Sequence, residues 1–151
     1  MTDQATQSLR DVREAVVLEH IAAENRHDVD AVIATFHQPS YEVNGERYDG
    51  EAAVRTMLGS LLSAFPDLHL ERLAVRHTDD AVIGEGRLTG THRGTFVGVA
   101  PTGRAVDYRI VGIFEFDGDR LVAERVSFDS ATLFRQLGVF PGPTEANYDA
   151  G

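Results

Sequence analysis

The apolar positions of the first 65 residues recur every three or four residues, which is the spacing of a helix with one buried face. The pattern predicts one helix over residues 9–27, a second helix that Asp28 caps, and a third that starts near Glu51 and ends at Pro66. A short strand with a turn behind it is predicted at residues 41–45, between the second and third helices.

After Pro66 the apolar residues alternate with polar ones, as they do along strands with one buried face. Two strands are predicted on either side of Asp79-Asp80, and a hairpin is predicted from residues 106–116 and 121–128. Asp129 is expected to cap a last helical turn. Helices followed by an antiparallel sheet predict an α+β fold, in which a curved sheet over the helices encloses an apolar interior.

The segment between these two pairs of strands, residues 90–104, has an unusual composition. Gly90, Gly94 and Gly98 recur at four-residue spacing, which suits neither a helix interior nor a regular strand. Pro101-Thr102-Gly103 then adds turn chemistry. We interpret the segment as a long crossover that leaves one strand, returns as the next and forms a wall of the interior.

Length and composition favour one soluble domain. The chain has 151 residues, 42% of them hydrophobic, and no apolar run approaches the ~20 residues that cross a membrane. We expect a disordered N-terminus at residues 1–8, a single domain at 9–140 and a flexible tail at 141–151. The first ten residues lack the apolar core of a signal peptide, so we expect a cytoplasmic protein with no membrane partner.

Charge and cysteine content exclude several classes of function. The formal net charge of −10 disfavours nucleic acid and anionic lipid as partners, although solubility alone explains such a charge. Because the chain has no cysteine, it forms no disulfide, thiolate nucleophile or cysteine-ligated metal site. The histidines show no pairing at metal-ligand spacing, so we expect no metal site.

Several motifs together resemble one family. They are Phe65-Pro66-Asp67-Leu68, the glycine-spaced run from Gly90 to Gly98, Pro101-Thr102-Gly103-Arg104 and Asp117-Gly118-Asp119-Arg120-Leu121-Val122. With the order of elements, they resemble the SnoaL-like polyketide cyclases of the nuclear-transport-factor-2-like (NTF2-like) fold. The resemblance covers residues 9–139. It implies a cone-shaped α+β barrel, a homodimer and a cofactor-free pocket for a hydrophobic substrate.

Cyclase members of that family close a polyketide ring by an intramolecular aldol step, with a carboxylic acid on the last strand and a histidine nearby. In this sequence the two positions fall at Val126 and Gly112. The resemblance therefore implies the fold but not the cyclase mechanism.

Glu124 is the first candidate for chemistry. Strand alternation places it in a row with Val122, Val126 and Phe128 that faces the apolar interior. A carboxylate among apolar neighbours is desolvated, which raises its pKa and suits it to act as a general base near neutral pH. The alternative is an ion pair with Arg87 or Arg109 that only holds the sheet together.

Other side chains are candidates for supporting roles. His92, in the glycine-spaced segment, is a candidate catalytic donor or proton shuttle; alternatively it faces solvent or bonds the loop backbone. The predicted substrate contacts share a position on the inward rows or at the mouth of the interior: Tyr41, Asn44, Tyr108, Val126 and Phe128.

Two functions follow from these observations. The first is a cofactor-free enzyme that performs acid/base chemistry, of cyclase, isomerase or hydrolase type, on a small hydrophobic carbonyl compound. The second is a non-catalytic module for small-molecule binding or dimerisation. In either case Val111 and Ile113, on the outward row of their strand, are expected to face the second subunit of a homodimer.

Overall fold

The structure is a computed structural model and describes residues 2–139, so the predicted tail at 141–151 lies outside the described residues. The described elements are helices α1 (Asp3–Asn25), α2 (Val29–Ala34), α3 (Glu51–Ala64) and α4 (Ser130–Gln136), and strands β1 (Ser40–Val43), β2 (Glu46–Asp49), β3 (His69–His77), β4 (Ala81–Thr91), β5 (Ala105–Asp117) and β6 (Arg120–Phe128). None of the described helices is long and apolar enough to cross a membrane.

The six strands form one sheet in the order β2-β1-β6-β5-β4-β3. All neighbouring strands are antiparallel except β1 and β6, which run parallel. Register shifts occur at residues 72–74 of β3 and 115–116 of β5, and irregularities of this kind bend a strand. The predicted α+β fold with a curved, mostly antiparallel sheet is confirmed, but the sheet is open, with β2 and β3 at its edges.

The N-terminus differs from the prediction. Residues 3–8, which we expected to be disordered, form the first turns of α1. Thr2 caps this helix, because its side-chain oxygen accepts a hydrogen bond from the Ala5 backbone N–H at 3.4 Å. No glycine or proline interrupts the following residues, so the helix extends continuously to Asn25.

Two predicted helix caps are confirmed. Asp28 accepts a hydrogen bond from the Ala31 backbone N–H at 3.0 Å at the start of α2. Asp129 accepts one from the Ala131 backbone N–H, also at 3.0 Å, at the start of α4. A carboxylate at this position satisfies backbone donors that have no partner within the helix.

The connection between β4 and β5 is a hairpin loop and not a crossover. The two strands pair antiparallel along their whole length, from Ala81 opposite Glu115 to Thr91 opposite Ala105. Antiparallel neighbours need no crossover, because the chain only has to turn back on itself. Residues 92–104, which we name the β4–β5 loop, therefore close the end of a hairpin.

The core lies between the helices and one face of the sheet. Along β5 the side chains of Val106, Tyr108, Phe114 and Phe116 are buried, as the alternating pattern predicts. Val111, on the opposite face of the same strand, is 36% exposed. Its predicted place in a homodimer interface stays a prediction.

Candidate functional site

A cavity of about 830 Å³ lies between the helices and the inward face of the sheet. Six of the seven side chains that the sequence nominated line it: Tyr41, Asn44, Tyr108, Glu124, Val126 and Phe128. Most of the remaining wall is apolar and comes from α3, β4, β5 and the β4–β5 loop. The volume is within the usual range for small-molecule sites, roughly 300–1,000 Å³.

Glu124 is the buried carboxylate of this cavity. It lies on β6 opposite Phe114 of β5 and is only 5% exposed. Burial raises the pKa of the Glu124 carboxyl above its ordinary value, because the ion loses its hydration. Its Oε2 atom lies 2.9 Å from Nε2 of His20, but among residues 2–139 it has no hydrogen-bond partner of good geometry.

Gly112 lets the side chains of Glu124 and Phe114 pack closely against the β5 backbone. A Cβ atom built at this position would lie 3.3 Å from Glu124 Oε1 and 3.2 Å from the Phe114 ring. Gly112 pairs with Val126 across the β5–β6 ladder, so the two positions that the family resemblance assigned to the cyclase histidine and aspartate do face each other. Here Gly112 allows the close approach of Glu124 to the backbone, and Val126 supplies an apolar wall.

His20 of α1 supplies the imidazole that β5 lacks. It is 0% exposed, and its Nδ1 lies 2.7 Å from Thr35 Oγ1. The Thr35 hydroxyl donates its own proton to the Val32 carbonyl oxygen at 2.6 Å, so it accepts from Nδ1. Nδ1 therefore carries a proton, and Nε2 is the atom that faces the polar groups of the cavity.

The charge of His20 follows from its neighbours. Burial lowers the pKa of His20, but the carboxylates of Glu124 and Glu24 outweigh burial and raise it from 6.5 to about 10. At neutral pH the ring is then an imidazolium, and Nε2 donates to the Tyr41 hydroxyl oxygen at 2.7 Å. Tyr41 in turn donates to Glu24 Oε1 at 3.0 Å.

We name His20, Glu24, Tyr41 and Glu124 the polar cluster. Burial, and then the charges of the two carboxylates, raise the pKa of the Tyr41 hydroxyl well above its ordinary value, so it stays neutral. Two carboxylates thus share one buried cation and one neutral hydroxyl at an otherwise apolar wall. Such an arrangement holds protons at fixed atoms next to an enclosed space.

The predicted ion pair of Glu124 with Arg87 or Arg109 is wrong. Arg87 pairs instead with Asp107 and Glu71 on the outer face of the sheet. Glu124 is ion-paired, as the alternative interpretation required, but its partner is His20 from a distant part of the chain. The available signal was the spacing of His20 and Glu24, which lie four residues apart on one face of α1.

The polar cluster also contains possible metal ligands, although the sequence predicts no metal site. His20, Glu24 and Glu124 each offer one ligand atom, and these atoms lie within 4.8 Å of one another. Nε2 of His20 is the ring atom available to a metal, because Nδ1 carries a proton, but Nε2 faces the Tyr41 hydroxyl at 2.7 Å. A cation bound to Nε2 would have to displace Tyr41, so the cluster as folded fits a proton better than a metal ion.

His92 is not brought to the cavity. Its ring is 0% exposed, packs against Phe65 and accepts a hydrogen bond at Nδ1 from the Thr102 backbone N–H at 3.2 Å. Its backbone also bonds to Arg104 and Gly103, which closes the base of the β4–β5 loop. The contacts that the structure gives His92 are those of the alternative interpretation, in which it bonds the loop backbone.

Two other predicted contacts have specific surroundings. The Asn44 amide is engaged with the Phe128 backbone, donating to its carbonyl oxygen at 3.1 Å and accepting from its N–H at 3.0 Å. It therefore fixes the end of β6. Tyr108 lies six residues before Phe114, or roughly 20 Å along β5 from the polar cluster, and packs against Phe128.

A family model described as SnoaL-like polyketide cyclase matches residues 14–137. The chain belongs to this family. The match spans almost every element from α1 to α4, so it covers both the polar cluster and the cavity wall. A search of curated proteins gave no match.

Solved structures support the same fold. AclR, a candidate hydroxylase from Streptomyces galilaeus, is 29% identical, with 88% of this chain and 85% of that chain covered and a TM-score of 0.76. A candidate SnoaL-like polyketide cyclase from Jannaschia sp. CCS1 is 22% identical, with coverage of 87% and 94% and a TM-score of 0.77. An NTF2-like protein of unknown function from Burkholderia pseudomallei is 17% identical, with coverage of 83% and 97% and a TM-score of 0.71.

Proposed function

We propose that this protein is an acid/base enzyme that moves a proton on a small hydrophobic carbonyl compound bound in the cavity, with Glu124 as the proton-transferring group. The observation that carries the proposal is one carboxylate, Glu124, that is only 5% exposed and lines an otherwise apolar cavity. A desolvated carboxylate at a cavity wall is suited to accept a proton from a bound molecule, and its pairing with His20 leaves one of its oxygens outside that contact.

The proposed step is enolisation. The Glu124 carboxylate removes a proton from the carbon next to a carbonyl group, and the electron pair of the C–H bond forms an enolate. In one branch the enolate attacks a second carbonyl group, and the alkoxide that forms takes the proton from Glu124; in the other, where a conjugated double bond extends the enolate, Glu124 returns the proton at the far end of the dienolate. The His20 imidazolium, 2.9 Å from the carboxylate, offsets negative charge that develops beside it.

The cavity wall supports a hydrophobic substrate. Away from the polar cluster it is lined by aromatic and aliphatic side chains, among them Tyr108 and Phe128 at the opposite end. Burial raises the pKa of the Tyr108 phenol, so its hydroxyl stays neutral and can donate to a substrate oxygen. We propose that Tyr108 orients the part of the substrate remote from Glu124.

The test is hydrogen–deuterium exchange of 2-tetralone in D₂O, followed by NMR with the spontaneous rate subtracted. We expect the protein to accelerate exchange at the carbon next to the carbonyl. Glu124→Gln should reduce the catalysed rate by about 100-fold or more, because general-base catalysis contributes roughly that much. Glu115→Gln, an outer-face carboxylate paired with Arg125, is the matched control and should retain the rate.

Binding is measured alongside with the neutral fluorescent probe N-phenyl-1-naphthylamine, which Glu124→Gln should bind within a few-fold of the unsubstituted protein. If the probe binds but neither 2-tetralone nor related ketones exchange faster than the background, the acid/base proposal is wrong. The non-catalytic binding module, with the polar cluster as a structural ion pair, would then be the function.

A further inference from the structure

Residues 2–139 contain two tight turns in which both central residues have positive φ angles. Asn44-Gly45 joins β1 to β2, with φ angles of 47° and 91°. Val97-Gly98 forms the tip of the β4–β5 loop, with φ angles of 42° and 81°. At this tip Phe96 and Val99 exchange backbone hydrogen bonds of 3.0 and 2.8 Å, so it is also a two-residue hairpin turn.

The first central residue is asparagine in one turn and valine in the other, and the two differ in the conformational energy that a positive φ costs them. Positive φ at both central residues favours Asn-Gly, which is what the β1–β2 turn has. Valine is poorly suited to this conformation, because its branched Cβ crowds the neighbouring backbone. Val97 is therefore a local conflict between sequence and conformation, and such conflicts occur preferentially at functional sites.

The turn is held in place by the rest of the loop. The backbone N–H groups of Arg93 and Gly94 both donate to the Ala64 carbonyl oxygen at the end of α3, at 2.9 and 3.1 Å. A Cβ at Gly94 would lie 2.4 Å from the Ser63 carbonyl oxygen, so the close approach requires glycine. Phe96 packs edge-on against Phe65 at 5.2 Å. These contacts anchor the residues just before the turn to the protein core.

Val97 is exposed to solvent and also lines the cavity. It is 69% exposed, the largest exposure among the exposed large hydrophobic residues in the described part of the chain. It nevertheless lines the cavity together with Thr95 and Phe96, which places it at the rim. An apolar side chain that is strained, anchored and left in water at a cavity rim gains contacts only when something apolar occupies the space beside it.

We infer that Val97 is a specificity-determining residue, held at the tip of the β4–β5 loop to cover the apolar part of a ligand at the cavity mouth. The inference rests on the proposed function in one respect, that the ligand is a small hydrophobic molecule. It adds a residue that selects such a ligand and takes no part in the proton transfer.

The experiment separates strain from binding in one pair of variants. Val97→Asn installs the residue that the β1–β2 turn uses, so we expect the melting temperature to rise by about 2–4 °C. The same variant should bind N-phenyl-1-naphthylamine about 10-fold more weakly, because the apolar contact is replaced by an amide. Val97→Leu keeps the strain and the apolar surface, and should bind the probe within about 3-fold of the unsubstituted protein with no gain in melting temperature.

Val12→Asn is the matched control, since Val12 is also an exposed valine but does not line the cavity. It should leave the affinity for the probe unchanged. If Val97→Asn raises the melting temperature and binds the probe as tightly as the unsubstituted protein, Val97 is not a specificity residue, while the role of Glu124 is unaffected. If the unsubstituted protein does not bind the probe at all, the apolar ligand of the proposed function is wrong, and the inference fails with it.

Discussion

His20 and His92 are both completely buried, yet they occupy opposite electrostatic environments. His20 has a polar partner at each ring nitrogen and two carboxylates beside it. His92 Nδ1 lies within hydrogen-bond distance of the Thr102 backbone N–H and hydroxyl, the ring packs against Phe65, and Nε2 has no partner among residues 2–139. The first belongs to the proposed reaction site and the second to the base of a loop.

Burial alone does not determine the charge or the role of a histidine. Desolvation disfavours the charged form of any buried imidazole, and at His20 that effect is outweighed only because Glu24 and Glu124 are in direct contact with it. The two carboxylates that stabilise the charged form of His20 come from α1 and β6, about 100 residues apart in sequence. Substitutions at the two positions should therefore differ strongly in their effect on stability and on the proposed reaction.

Removing the imidazole of His20 should have the largest effect. His20→Gln leaves Glu24 and Glu124 buried without their cation, which we expect to lower the free energy of unfolding by about 3 kcal/mol. Urea denaturation measures this loss. Adding Glu124→Gln to His20→Gln should restore part of it, because the uncompensated charge is removed; strict additivity of the two losses would show that the pair does not interact.

The pH dependence of stability should be a smaller effect than the loss caused by His20→Gln, and it tests whether His20 is charged in the fold. Because the pKa of His20 is raised from 6.5 in the unfolded chain to about 10 in the fold, its contribution to stability is complete below pH 6.5 and is lost as the pH rises towards 10. The difference in unfolding free energy between the unsubstituted protein and His20→Gln should therefore shrink by more than about 1 kcal/mol between pH 7 and 10. A constant difference would mean that His20 is not charged in the fold.

His92 should give the smallest effect. His92→Gln retains an acceptor for the Thr102 N–H, so we expect a loss of about 1 kcal/mol or less in the free energy of unfolding. The catalysed exchange of 2-tetralone should stay within 2-fold of the unsubstituted protein, since His92 does not line the cavity. A rate loss comparable to that of Glu124→Gln would show that His92 takes part in the reaction.

Local signals in the sequence predicted most of the fold. The helical and alternating periods predicted the main elements, and the caps at Asp28 and Asp129 were found because a cap acts within three residues of itself. β2 was missed because it is four residues long and mostly exposed, so it has no alternating apolar row. The β4–β5 loop was interpreted as a crossover because its glycine spacing does not reveal how the flanking strands pair.

The sequence predicted the candidate site only in part, because local patterns do not show which distant segments come into contact. Alternation along β6 was enough to place Glu124 in the interior. Its partner was not predictable from β6, because His20 reaches it from α1 through a contact that only the packing of helix on sheet creates. His92 was nominated for its unusual sequence neighbourhood, which reflects the turns of the loop and not a reaction.

The most direct test of the central claim is the titration of the Glu124 side-chain carboxyl by NMR of the labelled protein, with Glu124→Gln to assign the signal. We predict a pKa above the ~4.3 of a free glutamate, because burial at the cavity wall penalises the ion more than His20 stabilises it. Such a value identifies a desolvated carboxylate suited to proton transfer. A pKa at or below that of free glutamate would contradict the account and leave Glu124 as a structural ion-pair residue.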